Sequence, residues 1–222
     1  MSISAQIYHQ LGIDQTSTFL NRATVSPISN TPTWRGTSGS PTGPGAYNAA
    51  SITCKGTNSF DAGYIPTGDH SCLVAFKISG NSQINVMGCG NSGGFVFPGG
   101  PELIVNGATG SILYVGATMQ GGDGYVERGW RVFGYTRTGA TVTYVIGTTA
   151  RILQVRTSSQ ASIAANTFSM CLGGGRYGWS VDPNYDEFSE VAIWSSALST
   201  ADFIAQAEEM RLSIIARGLQ AE

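Results

Sequence analysis

The chain has 222 residues, enough for one large domain to bury a substantial core without disulfides or metals. Hydrophobic residues make up 41% and charged residues only 12%, a balance that excludes a disordered chain. The net charge is −2 and the 12 basic residues are scattered, which excludes a basic stripe for nucleic acid, and no apolar run reaches the roughly 18 residues of a membrane span.

The opening MSISAQIYHQLGIDQ has neither the basic start nor the apolar centre of a signal peptide, so synthesis and assembly in a cytoplasm are expected. Ile3, Ile7 and Leu11 recur at helical spacing, which predicts a short helix ended by Gly12. Residues 26–47 hold Pro27, Pro32, Pro41 and Pro44 among Gly, Ser and Thr, and read as a linker or as a loop wrapping a domain. From Ala50 the pattern is β. SCLVAFKI at 71–78 alternates, with Cys72, Val74, Phe76 and Ile78 on one face and Leu73, Ala75 and Lys77 on the other. INVMGCG at 84–90 reads as its neighbour, and FVF at 95–97 as a short strand stopped by Pro98. Asn106-Gly107 predicts a two-residue hairpin turn between apolar runs. A second hairpin is expected over 129–147, turning near Thr138-Gly139, with Val142, Tyr144 and Ile146 sharing a face. FSMCLGG at 168–174 and EFSEVAIWS at 187–195 complete the strands. Ser199 then predicts a helix N-cap, with Asp202 three residues on. Phe203, Ala207, Met210 and Ile214 follow at helical spacing, Ile204 and Ile215 widen the stripe, and Gly218 is the stop.

SEVAIWSSALSTADF at 189–203 resembles the closing signature of laminin G-like and concanavalin A-like domains. FDAGYIPTGDHSCLVAFKI, GWRVFGYTRTGATVTYVIGT and FSMCLGG resemble earlier strands of that family, in the right order. The resemblance covers most of residues 50–205. It implies an all-β jelly-roll sandwich of two antiparallel sheets, closed by a C-terminal α-helix. The expected organisation is an N-terminal docking arm and loop over 1–49, the sandwich over 50–198 and the helix over 199–222. The family's closing acidic pair is changed: Ser189 stands first and Glu190 second, which weakens any calcium site carried over with it.

Laminarinase-type enzymes share such sandwiches and need two carboxylates facing one glycosidic bond. The nearest segment, Asp186-Glu187-Phe188-Ser189-Glu190, lacks their Glu-x-Asp-x-x-Glu spacing, and Asp186 and Glu190 are expected at a strand start and rim. No nucleophile elbow is present, His70 reads as a surface turn residue, and the chain is expected not to be an enzyme. Calcium has Asp123, Asp182 and Asp186, with Glu187, as oxygen donors, set against plain turn chemistry for Asp in Gly-rich loops. In the loop over 173–188, Arg176, Tyr177, Trp179, Asn184 and Tyr185 mix aromatic faces with polar groups. Such a mix suits a sugar, or equally an interface. Met210, Ile214 and Ile215 lie beyond the family pattern and are expected to bind a partner subunit. Cys54, Cys72, Cys89 and Cys171 lack metal-ligand spacing and are expected as buried thiols, with disulfides open only if the protein leaves the cell in a particle. No resident cofactor is expected apart from that optional calcium. The overall expectation is a homo-oligomeric bacteriophage virion protein of tail, fibre or head decoration, bound to other virion proteins and touching host glycan. The alternative is a carbohydrate-binding lectin.

Overall fold

The computed structural model of the chain describes residues 7–12, 33–35, 46–54, 59–78, 83–88, 102–106, 111–115, 129–148, 152–159, 169–173 and 186–220. In chain order these form β1 (Ile7–Gln10), β2 (Thr33–Arg35), β3 (Ala46–Tyr47), β4 (Ile52–Cys54), β5 (Ser59–Asp61), β6 (His70–Ile78), β7 (Gln83–Gly88), β8 (Glu102–Asn106), β9 (Ser111–Val115), β10 (Gly129–Thr138), β11 (Thr141–Thr148), β12 (Ile152–Ser159), β13 (Cys171–Leu172), β14 (Asp186–Trp194) and α1 (Thr200–Ala216). Eight strands make one antiparallel sheet, ordered β12-β11-β10-β6-β14-β4-β3, with β1 also on β14. Six make the second, ordered β2-β5-β13-β7-β8-β9. The chain is an all-β sandwich of two antiparallel sheets with one C-terminal helix.

The larger sheet is buried on both faces at its centre. On β6, Cys72, Val74 and Phe76 join the core between the sheets, with Phe60, Met87, Phe133, Tyr135, Leu172, Phe188, Val191 and Ile193. Leu73 and Ala75 face the other way, into a second cluster with Trp130, Val132, Ala192 and Trp194 beneath α1. The sequence alternation of β6 therefore holds, both sets being apolar because both faces are covered. Gly134 of β10 permits the close approach of β6: a Cβ there would run into the Cys72 carbonyl oxygen and lie 2.6 Å from Leu73 Cδ2.

Three expectations for the first fifty residues are corrected. Residues 7–10 form a strand, not a helix, pairing Ile7 with Ile193 and Gln10 with Glu190. The stretch 26–47 contains β2, paired with β5, and β3, paired with β4. Among the described residues before 50, β1 and β3 thus belong to the larger sheet and β2 to the smaller, not to a separate docking arm. Among the hairpins, β8–β9 forms, but its last pair is Asn106 with Ser111, leaving four residues between the strands instead of two. That register sets Ile104 opposite Leu113 and Val105 opposite Ile112. The β10–β11 turn falls at Gly139-Ala140 as expected, with Gly139 at φ 56 and its N–H donating to the Asp69 carboxylate at 2.7 Å.

α1 begins and ends on the predicted signals. The Ser199 hydroxyl accepts from the Asp202 N–H at 3.2 Å and donates to the Asp202 carboxylate at 2.6 Å. Gly218, at φ 78, reverses the chain, and its N–H donates to the Ile215 carbonyl while that of Leu219 donates to the Ile214 carbonyl. Phe203, Ala207, Met210 and Ile214 are fully buried on the sheet. The expectation that Met210 and Ile214 dock a partner subunit is corrected: the chain's own sheet consumes both, and Ile215 is half-buried. Gln206 lies on the same buried face, and its amide oxygen meets no donor among the described residues. Gln206→Leu is expected to raise stability by about 1 kcal/mol, read as a Tm increase of about 2–4 °C in calorimetry.

Candidate functional site

The sugar-loop residues Arg176, Tyr177, Trp179, Asn184 and Tyr185, and the calcium candidates Asp123 and Asp182, lie outside the described residues. The two ends of that loop are placed. One is β13 in the smaller sheet, followed by Gly173; the other is Asp186, which opens β14 in the larger sheet opposite Cys54.

The next residue, Glu187, is the centre of a polar cluster. Its register partners are Thr53 on β4 and Lys77 on β6, and Lys77 is in turn opposite Trp130 on β10. One row thus crosses four strands on the face that carries α1. Lys77 Nζ sits 3.8 Å from Glu187 Oε1, with about a quarter of each side chain exposed. Glu187 Oε2 accepts from the Ser51 hydroxyl at 3.0 Å and from Asn48 Nδ2 at 3.5 Å. Asn48 Nδ2 also donates to the Ser51 and Thr53 hydroxyls, both at 3.0 Å. A partly exposed carboxylate, ammonium and amide, oriented by buried hydroxyls, can exchange hydrogen bonds with a polyhydroxylated ligand. Trp130 is only 4% exposed and offers no stacking face. Lys77, Asn48, Ser51 and Thr53 escaped the sequence reading. A lone charge inside the apolar alternation of 71–78 was the one available signal.

Two other polar groups turn out to be interior. His70, expected at the surface, is fully buried. Its Nδ1 lies 2.7 Å from the Gly68 carbonyl, so that nitrogen carries the proton, and Nε2, 2.7 Å from the Tyr135 hydroxyl, accepts. Burial lowers its pKa to about 4, against the weaker opposing pull of the Gly68 carbonyl. Glu190, expected at a rim, is also fully buried, and burial pushes its carboxyl up to about 7. Its Oε1 accepts from the Ser213 hydroxyl at 2.6 Å and from Arg217 at 3.4 Å, and its Oε2 accepts from the Tyr8 hydroxyl at 3.1 Å. Enclosed by β1 and α1, it cannot reach a substrate.

Ser189, in place of the family's first acidic residue, is the extra residue of a bulge in β14. It is fully buried, donates to the Ala50 carbonyl at 2.8 Å and accepts from Arg217 at 2.8 Å. A second carboxylate there would meet a carbonyl oxygen. Among the described residues no three His, Cys, Asp or Glu side chains converge as a metal site. Cys54, Cys72 and Cys171 are buried free thiols, and Cys89 lies outside the described residues. No helix among the described residues is long and apolar enough to cross a membrane.

No protein-family model matches the chain, and no curated protein matches it. Solved structures do share its fold. Trypanosoma rangeli sialidase is similar at TM-score 0.54 and 10% identity, over 94% of this chain and 36% of that one. A mutant of that sialidase displaying trans-sialidase activity is similar at 0.53 and 10%, over 77% of this chain and 30% of that one. A GH54 α-L-arabinofuranosidase is similar at 0.53 and 11%, over 86% and 44%. The chain therefore spans less than half the length of these proteins, and at such identity the likeness is one of fold. These neighbours correct the expectation that the chain is not an enzyme. That expectation rested on the missing carboxylate spacing of one enzyme family, whereas this sandwich occurs within several sugar-processing enzymes.

Proposed function

We propose that this chain is a carbohydrate-binding sandwich, of the concanavalin A-like or laminin G-like jelly-roll kind. The observation that carries the reading is the partly exposed Lys77–Glu187–Asn48 cluster at the start of β14. Tyr185 precedes Glu187 by two residues and Trp179 by eight, so aromatic residues and hydroxyl-binding groups are close in sequence. Aromatic faces with a few convergent polar groups are what a sugar pocket requires. The sugar-processing neighbours support the same ligand class. The reading applies equally to a domain of a larger sugar-processing protein and to a virion component touching host glycans.

The test is a glycan array followed by calorimetric titration of the best ligand. Glu187→Gln is expected to weaken binding about tenfold or more, since a hydrogen bond to a charged group contributes roughly 1.5–3 kcal/mol. Trp179→Ala is expected to cost at least as much, and both variants should keep the wild-type circular dichroism. Wild-type protein that binds no glycan, or variants that bind as well as wild type, would end the proposal.

A further inference from the structure

The segment 7–12 is held entirely by residues remote from it in the chain. Among the described residues its strand β1 pairs only with β14, on the edge that β4 occupies further along; β4 takes Asp186 to Phe188 and β1 takes Glu190 to Ile193. The two meet end to end at the Ser189 bulge. There the Leu11 N–H donates to the Ser189 carbonyl at 2.7 Å, and Arg217 Nη2 donates to the Leu11 carbonyl at 2.7 Å. Leu11 is buried in the core between the sheets, and His9 stacks edge-on against Phe60 with its Nε2 3.3 Å from the Ala62 carbonyl. Gly12, at φ 112, passes so close to the backbone of 49–51 that a Cβ would lie 2.6 Å from the Ser51 nitrogen.

The groove is therefore shaped to one sequence. Glu190 Oε2 awaits a hydroxyl donor at the position of Tyr8. Arg217 awaits a carbonyl and the core an apolar side chain at the position of Leu11. The next residue must be glycine. Without the segment, Glu190 and Arg217 would lose partners in a site where burial makes unpaired polar groups costly. Between Gly12 and β2 lie residues 13–32, a length that extended would span about 65 Å. A compact chain of this size has a radius of gyration of about 17 Å, so that length suffices to reach a neighbouring molecule.

We propose that segment 7–12 is an exchangeable strand, and that the β14 groove bounded by Glu190, Ser189 and Arg217 takes the same segment from a second copy of this chain. Exchange preserves every contact of the junction and changes only which molecule supplies it, the low-cost route to a symmetric dimer.

The experiment uses the full chain. Isotopically light and heavy wild-type protein are mixed at high concentration, warmed toward the unfolding midpoint, cooled and weighed by native mass spectrometry. Dimers of mixed mass are expected, and they should appear at a lower temperature when both copies carry Gly12→Ala, because the weakened junction opens more readily. A second arm mixes Gly12→Ala, defective as strand, with Arg217→Met, defective as groove. Exchange lets each mixed dimer rebuild one intact junction, so a thermal transition near that of wild type should emerge that neither variant shows alone. Monomers only, or a mixture melting as the sum of its parts, would each overturn the proposal.

Discussion

Replacing Arg217 by methionine is expected to lower stability by about 3–5 kcal/mol at pH 8 and by about 1.4 kcal/mol less at pH 5. Arg217 and Glu190 form an ion pair with 2% and 0% of their side chains exposed. Removing one member of such a pair leaves an uncompensated buried charge. Here the carboxyl has an escape, because it can take up a proton. Wild type itself keeps that proton up to about pH 7, so the two proteins diverge only above it, by about 1.4 kcal/mol for each further pH unit. What persists at pH 5 is the loss of the hydrogen bonds from Arg217 to Ser189 and Leu11. The wild-type protein carries a related signature. Its Glu190 carboxyl titrates at about 7, above the unfolded value, so its contribution is complete below pH 4.5 and is lost as pH rises through 7. His70 acts in the opposite sense. Its folded pKa of about 4 lies below the unfolded value, so its contribution is complete above pH 6.5 and is lost as pH falls toward 4. Urea unfolding of wild type, Glu190→Gln and Arg217→Met across pH 5–8 separates these terms. An Arg217→Met penalty that does not change with pH would show that Glu190 is not its source.

The sequence was legible where burial follows local periodicity. β6 and α1 were read nearly to the residue, since each presents a full apolar stripe to a partner layer and α1 carries its own stop and start signals. β1 was misread for an identifiable reason. A spacing of four, as in Ile7 and Leu11, satisfies a helical turn and also the even spacing of one strand face. Only pairing with β14, about 180 residues away, selects the strand. The buried polar groups failed in the same way. Glu190 reads as a rim carboxylate until Arg217 and Tyr8 are known to converge on it. His70 reads as a turn residue until Tyr135, 65 positions on, supplies its second hydrogen bond. The hydroxyl and the amide that orient Glu187, from Ser51 and Asn48, lie 136 and 139 residues earlier, on either side of the boundary expected between arm and sandwich. Charge in a strand marks where something specific occurs, but its partner is a property of topology.

Met210→Lys tests the reassignment of the closing helix and is expected to be the most damaging surface-to-sheet substitution in α1. Met210 has no exposure, and it packs with Trp130, Leu73 and Ala75 among the apolar residues between α1 and the larger sheet. An ammonium there has no carboxylate assigned to it and must either lose its proton or pull the helix off the sheet. Truncating a buried methionine to alanine already costs about 2–5 kcal/mol, and the buried charge adds desolvation to that. Leu212, two residues on, is 53% exposed, and Leu212→Lys should change stability by no more than about 0.5 kcal/mol. The contrast within one helical turn decides between two arrangements of the helix. If Met210 served a partner subunit, Met210→Lys would lower the mass of an assembly while leaving the folded chain's unfolding curve intact. If it is the helix's grip on its own sheet, the loss appears in the unfolding of the chain itself, at every protein concentration. Denaturation of both variants at two widely separated concentrations distinguishes the outcomes. The buried stripe of Phe203, Ala207, Met210 and Ile214 requires the second.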